Sequence, residues 1–418
     1  MKRILLSALT MSALLLAGCG GATNALLPAG ANSNQSTTAS ERGLSEFQRD
    51  LADGNIAPSC AQGGEEVRCF AYVLTQKGRA AAEQRGALAI TPNALPAGFG
   101  PTQLQAAYKT AGLTGGTGRL IAIVDAYDNP NLEADLGVYR STYGLPACTT
   151  ANGCFKKVGQ TGTSSLPKAN ASWGQETSLD VDMVSANCPN CKILVVEANS
   201  ATFANLAAAV NTAANMGAVA ISNSYGGSES SSQSTYRASY NHAGIAITAS
   251  SGDSGYGAQS PASYNTLTAV GGTSLSTASN TRGWSETVWS GAGSGCSAYE
   301  AKPSFQTDSG CAKRTISDVS YVANPSTGVA VYDSYAYQGM KGWMVFGGTS
   351  VGAPAIAAIY GLAGNTVSDA SYTYAHTASL FDVTSGSNGT CPTSYWCNAG
   401  VGYDGPTGNG TPNGIGAF

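Results

Sequence analysis

Ser350 lies in the run Phe346-Gly347-Gly348-Thr349-Ser350-Val351-Gly352-Ala353-Pro354, where a hydroxyl is set among glycines at the start of a small-residue helix. Glycines let a peptide backbone approach closely, and a helix N-terminus favours negative charge developing on a reacting oxygen. A free hydroxyl is nonetheless a poor nucleophile and needs a base. The sequence holds two histidines, His242 and His376, and neither sits in a His-Gly-Thr helix start. The base must then come from another residue type, and carboxylates are the best candidates.

Glu176-Thr177-Ser178-Leu179-Asp180 supplies two carboxylates at i and i+4 of an expected helix over Gln175–Asn187. At 3.6 residues per turn they project about 40° apart, on one face, whereas Asp182 points about 160° from Asp180. A solvated acidic face is the ordinary reading of such a pair. Two arguments oppose it here: like charges at this spacing destabilise a helix, and Leu179, Val181, Met183, Val184 and Ala186 call for burial. A further acid, Asp253, lies in Ser251-Gly252-Asp253-Ser254-Gly255, a stretch that would equally suit a tight turn.

Alternating elements must position these groups. Leu120-Ile121-Ala122-Ile123-Val124 reads as a buried strand, followed by a helix over Asn131–Tyr143. A strand at Ile193–Glu197, an alanine-rich helix at Phe203–Met216 and strands at Ala218–Ser222 and Gly244–Ala249 follow. This alternation predicts an α/β fold, a doubly wound parallel sheet with helices on both faces, with ligands bound at the carboxyl ends of the strands. Upstream, residues 43–100 carry helical character at Leu44–Leu51 and Lys77–Arg85 and a strand-like alternation at Val67–Leu74, a short N-terminal subdomain or pro-segment.

Taken together, Glu-x-x-Leu-Asp, Ser-Gly-Asp-x-Gly and Gly-Thr-Ser-x-x-x-Pro resemble, in order, the motifs of the sedolisin family of serine-carboxyl peptidases, whose fold is subtilisin-like. The resemblance runs from about Gly100 to the C-terminus. It implies Ser350 as nucleophile, Glu176 as general base, Asp180 as its orienting partner and Asp253 as an acid donating to the oxyanion. Glu176 acts only when ionised and Asp253 only when protonated, so activity at acid pH is expected. The stretch before Gly100 is shorter than the folded pro-domain common in the family. Asp125, at the end of the first strand, is either a structural acid or a second partner to Glu176. A histidine-based triad through His242 is the weaker alternative; so are a catalytically silent, calcium-stabilised surface protein that binds peptides and an esterase, for which no Gly-x-Ser-x-Gly elbow surrounds Ser350.

Near the C-terminus, Asp382 and Asp404 sit in glycine-rich loops that offer the hard oxygen ligands calcium prefers. The resemblance implies one structural Ca2+ held by Asp382, the carbonyls of Val383, Gly400 and Gly402, and Asp404. An Asx-turn loop stapled by neighbouring cysteines is the simpler reading of the same residues.

Composition sets the compartment. The chain has 418 residues, a net charge of -4 and 53 glycines. An acidic balance argues against a nucleic-acid partner. Met1-Lys2-Arg3, an apolar run too short to span a bilayer, and Leu16-Ala17-Gly18-Cys19 form a lipoprotein-type signal over 1–18, with Cys19 as the lipidated residue. Residues 19–42 then form a flexible tether and 101–418 the peptidase domain. The membrane is met only through Cys19, and the expected product is an exported, monomeric enzyme acting on proteins or peptides. The other ten cysteines fall in close pairs: Cys60/Cys69, Cys148/Cys154, Cys188/Cys191, Cys296/Cys311 and Cys391/Cys397. Five local disulfides formed in an oxidising compartment are expected, with a redox or zinc role for Cys188-Pro189-Asn190-Cys191 as the lesser alternative.

Overall fold

A computed structural model describes residues 44–61, 63–86 and 96–418. The signal, Cys19 and the tether lie outside the described residues. The first of these begins with helix α1 (Glu46–Ala52), started by a Ser45/Gln48 capping box. Strands β1 (Ile56–Pro58), β2 (Arg68–Cys69) and β3 (Tyr72–Leu74) and helix α2 (Gln76–Gln84) follow. The alternation expected over Val67–Leu74 is thus two short strands, broken at Phe70-Ala71.

The central sheet is built from β4 (Leu120–Ala126), β5 (Phe155–Gly159), β6 (Lys192–Ala198) and β7 (Ala220–Asn223). After β8 (Tyr225–Ser228), which runs off the sheet, come β9 (Ala246–Ser250), β10 (Thr268–Thr277), β11 (Trp284–Val288) and β12 (Val319–Val322). The order is β11-β10-β9-β7-β4-β6-β5, with β12 also on β10. All pairings are parallel except that of the edge strand β11. A hairpin of β13 (Val329–Tyr337) and β14 (Met340–Gly347) lies apart, and β3 joins its edge.

Helices cover both faces because the strands are apolar on both. Ile121 and Ile123 of β4 enter one core with Leu179, Met183, Ile356 and Ile359. Ala122 and Val124 enter the other with Leu194, Leu206 and Val210. The first core thus gathers α4 (Ala171–Asn187) and α6 (Gly352–Ala363), the second α5 (Phe203–Asn215); α3 (Leu132–Thr142) precedes them in the chain. The expected doubly wound, subtilisin-like fold is the one observed.

Helix α4 starts four residues before the expected Gln175 because Asn170 caps it, its side chain accepting from the N–H groups of Ser172 and Trp173. Every residue from Ser172 to Asn187 is buried. Helix α6 is apolar all round, as a fully enclosed helix must be, and Pro354 is tolerated in its first turn. The five expected disulfides are all formed. No helix among the described residues is long and apolar enough to cross a membrane.

Candidate active site

Asp125 lies at the carboxyl end of β4, and Ser224 and Asp253 follow the carboxyl ends of β7 and β9, the next strands in the sheet. Helix α4 brings Glu176 and Asp180 to them, and the turn after β14 brings Thr349 and Ser350. Asp125, Glu176, Asp180 and Ser350 are fully buried and Asp253 is 1% exposed. The four residues expected to react therefore meet at one place.

Burial without a compensating cation sets the electrostatics. Asp125 is pushed up to about 7 by desolvation. Glu176 and Asp180 lie well above the usual carboxylate range, first because they are buried and next because Asp125 stands beside both. The Glu176–Asp180 contact couples the two carboxyls, so their protons are lost as those of a pair and not of single residues. Ser224 Oγ donates to Asp180 Oδ1 at 2.9 Å and fixes that carboxyl from its other side.

Ser350 is close enough to lower the pKa of Glu176, yet neither Glu176 oxygen has a hydrogen bond of full geometry. The Ser350 hydroxyl donates instead to the Ser224 carbonyl at 3.1 Å.

Asp253 stands across from this pair. Its Oδ1 accepts from Thr349 N–H at 2.8 Å and Thr349 Oγ1 at 2.7 Å, while the buried Oδ2 has no partner. Burial pushes this carboxyl up to about 7, against the pull of Thr349 and of Arg68. The free oxygen is therefore a proton donor in acid. The loop reaches this position through Gly252, at φ +117°. Gly348, at φ +103°, has no room for a side chain: a Cβ there would lie 2.2 Å from the Phe70 carbonyl oxygen and 2.5 Å from Asp253 Oδ2. A backbone carbonyl and the free acid oxygen converge over that glycine.

The carbonyl comes from the N-terminal segment. Ser350 N–H donates to Phe70 O at 3.0 Å, and Phe70 N–H reaches Ser350 Oγ at 3.1 Å and Ser224 O at 3.3 Å. The sequence reading did not find this contact, nor Ser224 and the β8 edge. The only local signal was Ser224-Tyr225-Gly226-Gly227, a polar, glycine-rich exit from a buried strand.

Asp182 is away from this cluster, as its helix position demands. It accepts from Tyr332 N–H at 3.0 Å and interacts with Arg140. His242 bonds to Asn211 and Ser239, and His376 to the Tyr372 carbonyl. Neither histidine meets Ser350.

A solved structure of Pseudomonas sedolisin, a serine-carboxyl proteinase complexed with two molecules of pseudo-iodotyrostatin, superposes with a TM-score of 0.65 at 26% identity, covering 76% of this chain and 95% of that one. Sedolisin from Pseudomonas sp. (strain 101) is 34% identical over 177 residues, 37% of this chain and 29% of the relative. Kumamolisin from Bacillus sp. (strain MN-32) is 29% identical over 367 residues, 77% of this chain and 63% of the relative. In sequence and in fold the chain is similar to the sedolisin family. It spans less than two thirds of the length of these curated relatives. A scan against protein-family models finds no match. The sedolisin-family fold thus frames a serine surrounded by carboxyls.

At the C-terminal loops, Asp404 Oδ1 accepts from Thr407 N–H and Oγ1, its Oδ2 from Gly400 N–H, and Asp382 Oδ2 from Gly402 N–H. Asp404 is pushed up to about 7 by burial, with Asp382 adding repulsion. No group of three or more His, Cys, Asp or Glu placed to hold a metal occurs among the described residues. A site of two carboxylates and three carbonyls does not require one.

The raised acids carry a stability prediction. A carboxyl whose folded pKa exceeds its unfolded value stabilises the fold below the unfolded pKa, and that contribution is lost as pH rises through the folded pKa. For Asp125 and Asp253 the shift is from 3.8 to about 7. Each is worth at most about 4 kcal/mol. The melting temperature should fall between about pH 4 and pH 8, and Asp253→Asn should lessen the fall. A melting temperature that climbs across this range in calorimetry would refute the assigned protonation states.

Proposed function

We propose that this chain is an exported serine-carboxyl peptidase that hydrolyses peptide bonds in acid. The observation that carries the reading is the Phe70 carbonyl, which accepts Ser350 N–H within a cluster of Glu176, Asp180 and Asp253. A substrate carbonyl in that place meets each group in a role its surroundings support.

Ser350 Oγ adds to the substrate carbonyl while Glu176, ionised and steadied by the protonated Asp180, takes the hydroxyl proton. Negative charge develops on the carbonyl oxygen, between Ser350 N–H and protonated Asp253 Oδ2. Glu176 returns its proton to the leaving amine, and water reverses the sequence on the ester. Asp125 keeps the pair short of negative charge, so Glu176 does not ionise together with Asp180. The substrate lies extended along β8, whose edge accepts a strand.

One calcium ion fits the C-terminal loops. Asp404 is held up in pKa by burial, with a smaller contribution from the repulsion of Asp382. Their carboxylates and the carbonyls of Val383, Gly400 and Gly402 would hold the ion, which would bind loops rather than take part in the reaction. The signal over 1–18, Cys19 as lipid anchor, the tether over 19–42 and a monomeric state complete the proposal for its place outside the cytoplasm.

Ser350→Ala and Glu176→Gln should each reduce peptide turnover by about 10³-fold or more while circular dichroism remains native. Native-like cleavage by purified Ser350→Ala would remove the serine from the mechanism. Exhaustive chelation should lower the melting temperature of the wild type and leave that of Asp404→Ala unmoved, because an ion bound only by the folded state adds to its stability. An unchanged wild-type melting curve would rule out the ion.

A further inference from the structure

Four aromatic side chains gather outside the apolar cores. Phe305, Tyr374, Tyr395 and Tyr403 belong to none of the core clusters and instead line a cavity of about 540 Å³. Small-ligand sites occupy about 300–1,000 Å³, so this one is of fitting size. Ring centroids are 4.9 Å apart for Phe305–Tyr374, 5.9 Å for Tyr374–Tyr403 and 6.3 Å for Tyr395–Tyr403, which makes one continuous aromatic wall. Phe305 lies within the loop closed by Cys296–Cys311, Tyr374 in the short helix Ser371–Ala375, and Tyr395 within the loop closed by Cys391–Cys397, with Tyr403 just beyond it. Tyr374 rests on Asp318, immediately before β12, and β12 runs parallel to β10. The cavity is therefore toward the amino ends of the parallel strands, whereas Ser350 and its acids are at the carboxyl ends.

The charges around the cavity cancel. Asp308 is the one charged residue among its described lining residues, and Lys302 Nζ lies 3.0 Å from its Oδ1. Its Oδ2 accepts from Thr315 Oγ1 at 3.0 Å and from Tyr395 OH at 2.5 Å. Behind the wall, Arg314 and Asp318 form a fully buried ion pair. The other two tyrosine hydroxyls are also directed inward: Tyr374 OH donates to Asp318 Oδ1 at 3.0 Å and Tyr403 OH to the Thr315 carbonyl at 3.1 Å. The wall thus offers ring surface rather than hydroxyls. Hydrogen-bonding groups stand at the rim instead, where Thr307, Ser309 and Thr377 are exposed and Asn409 is half-buried.

We propose that this cavity is a saccharide-binding subsite, remote from Ser350, that takes a neutral gluco-configured pyranose. Such a sugar carries its hydroxyls around the ring perimeter and presents C–H groups on both faces. The faces pack against the aromatic wall, and the perimeter meets the polar rim at Thr307, Ser309, Thr377 and Asn409. An acidic sugar fits less well, because the cations near the wall are already paired and a desolvated charge without a partner is costly. A proline-rich segment also docks in aromatic grooves, but its carbonyls call for ring donors, and the three tyrosine hydroxyls here are engaged. The two disulfide-closed loops hold the wall in place before a ligand arrives, which lowers the ordering cost of binding. The sugar is bound and not altered, so the site does not depend on the peptidase reading.

The test is titration calorimetry on the full chain with Ser350→Ala, so that no probe is cleaved. Cellopentaose, chitopentaose and maltopentaose stand for a polysaccharide, and a peptide carrying one N-acetylglucosamine on serine stands for a glycan on a protein. Saturable binding of at least one probe is expected, and whether the pentasaccharides or the glycopeptide bind tighter assigns the source. Phe305→Leu, which keeps apolar bulk without a ring, should weaken that binding by about fivefold or more, and Phe305→Tyr should retain it. Thr307→Ala with Thr377→Ala, both at exposed positions, should also weaken it and decides the matter if the leucine variant does not fold. No binding of any of the four probes, or equal affinity in all variants, would overturn the proposal. Binding of a proline decamer that Phe305→Leu weakens, with no saccharide bound, would overturn it in favour of a peptide groove.

Discussion

Three carboxyls buried together without a cation are the constraint from which the site follows. Burial raises Asp125, Glu176 and Asp180, Asp125 raises the other two further, and no lysine or arginine is among the causes. Such a group must hold protons to fold at all. In the proposed reaction a proton on Asp180 leaves Glu176 as the base, while burial favours the protonated form of Asp253. Acid conditions therefore suit both the fold and the proposed reaction. The coupling between stability and chemistry is direct: the desolvation that makes these acids costly to ionise is the property that divides them into base and donor.

The scaffold meets this constraint with short connections. The strand ends of β4, β7 and β9 lie side by side, so residues just beyond them converge without long loops. Gly348 lets a backbone carbonyl approach Asp253, and the apolar α6 directs its N-terminus to the same point. Beside these strand ends, the N-terminal hairpin adds a second wall. Its contacts are backbone pairings along β8 and β14, the kind a substrate of any sequence can make, with the Phe70 ring as the one large side chain engaged.

Much of the site was legible because its chemistry is local in sequence. Glu176 and Asp180 declared a common face through helical spacing, and Ser350 and Asp253 through the glycines around them. The central sheet was legible through β4, whose apolar run faces both cores. What could not be read was long-range. The pairing of Arg68 with Gly226 and of Phe70 with Ser350 joins segments far apart in the chain, and neither carries a local signature of its partner. The break at Phe70–Ala71 was read as continuous strand for the same reason: alternation registers side-chain faces, not hydrogen bonds made to another element. Asp125 was visible as a strand-end acid, but only the packing of α4 on β4 places it beside Glu176 and Asp180.

The central claim, that a carboxylate and a carboxylic acid divide the work around Ser350, is tested most directly by the pH dependence of kcat/KM for a peptide in the wild type and in Asp253→Asn. The account predicts a maximum in acid and, for the wild type, a decline as pH rises through about 7, where Asp253 ionises. Asp253→Asn, slower throughout, should lack that decline, because an amide donates a hydrogen bond without titrating. A wild-type maximum on the alkaline side, or an alkaline limb unchanged in Asp253→Asn, would contradict it.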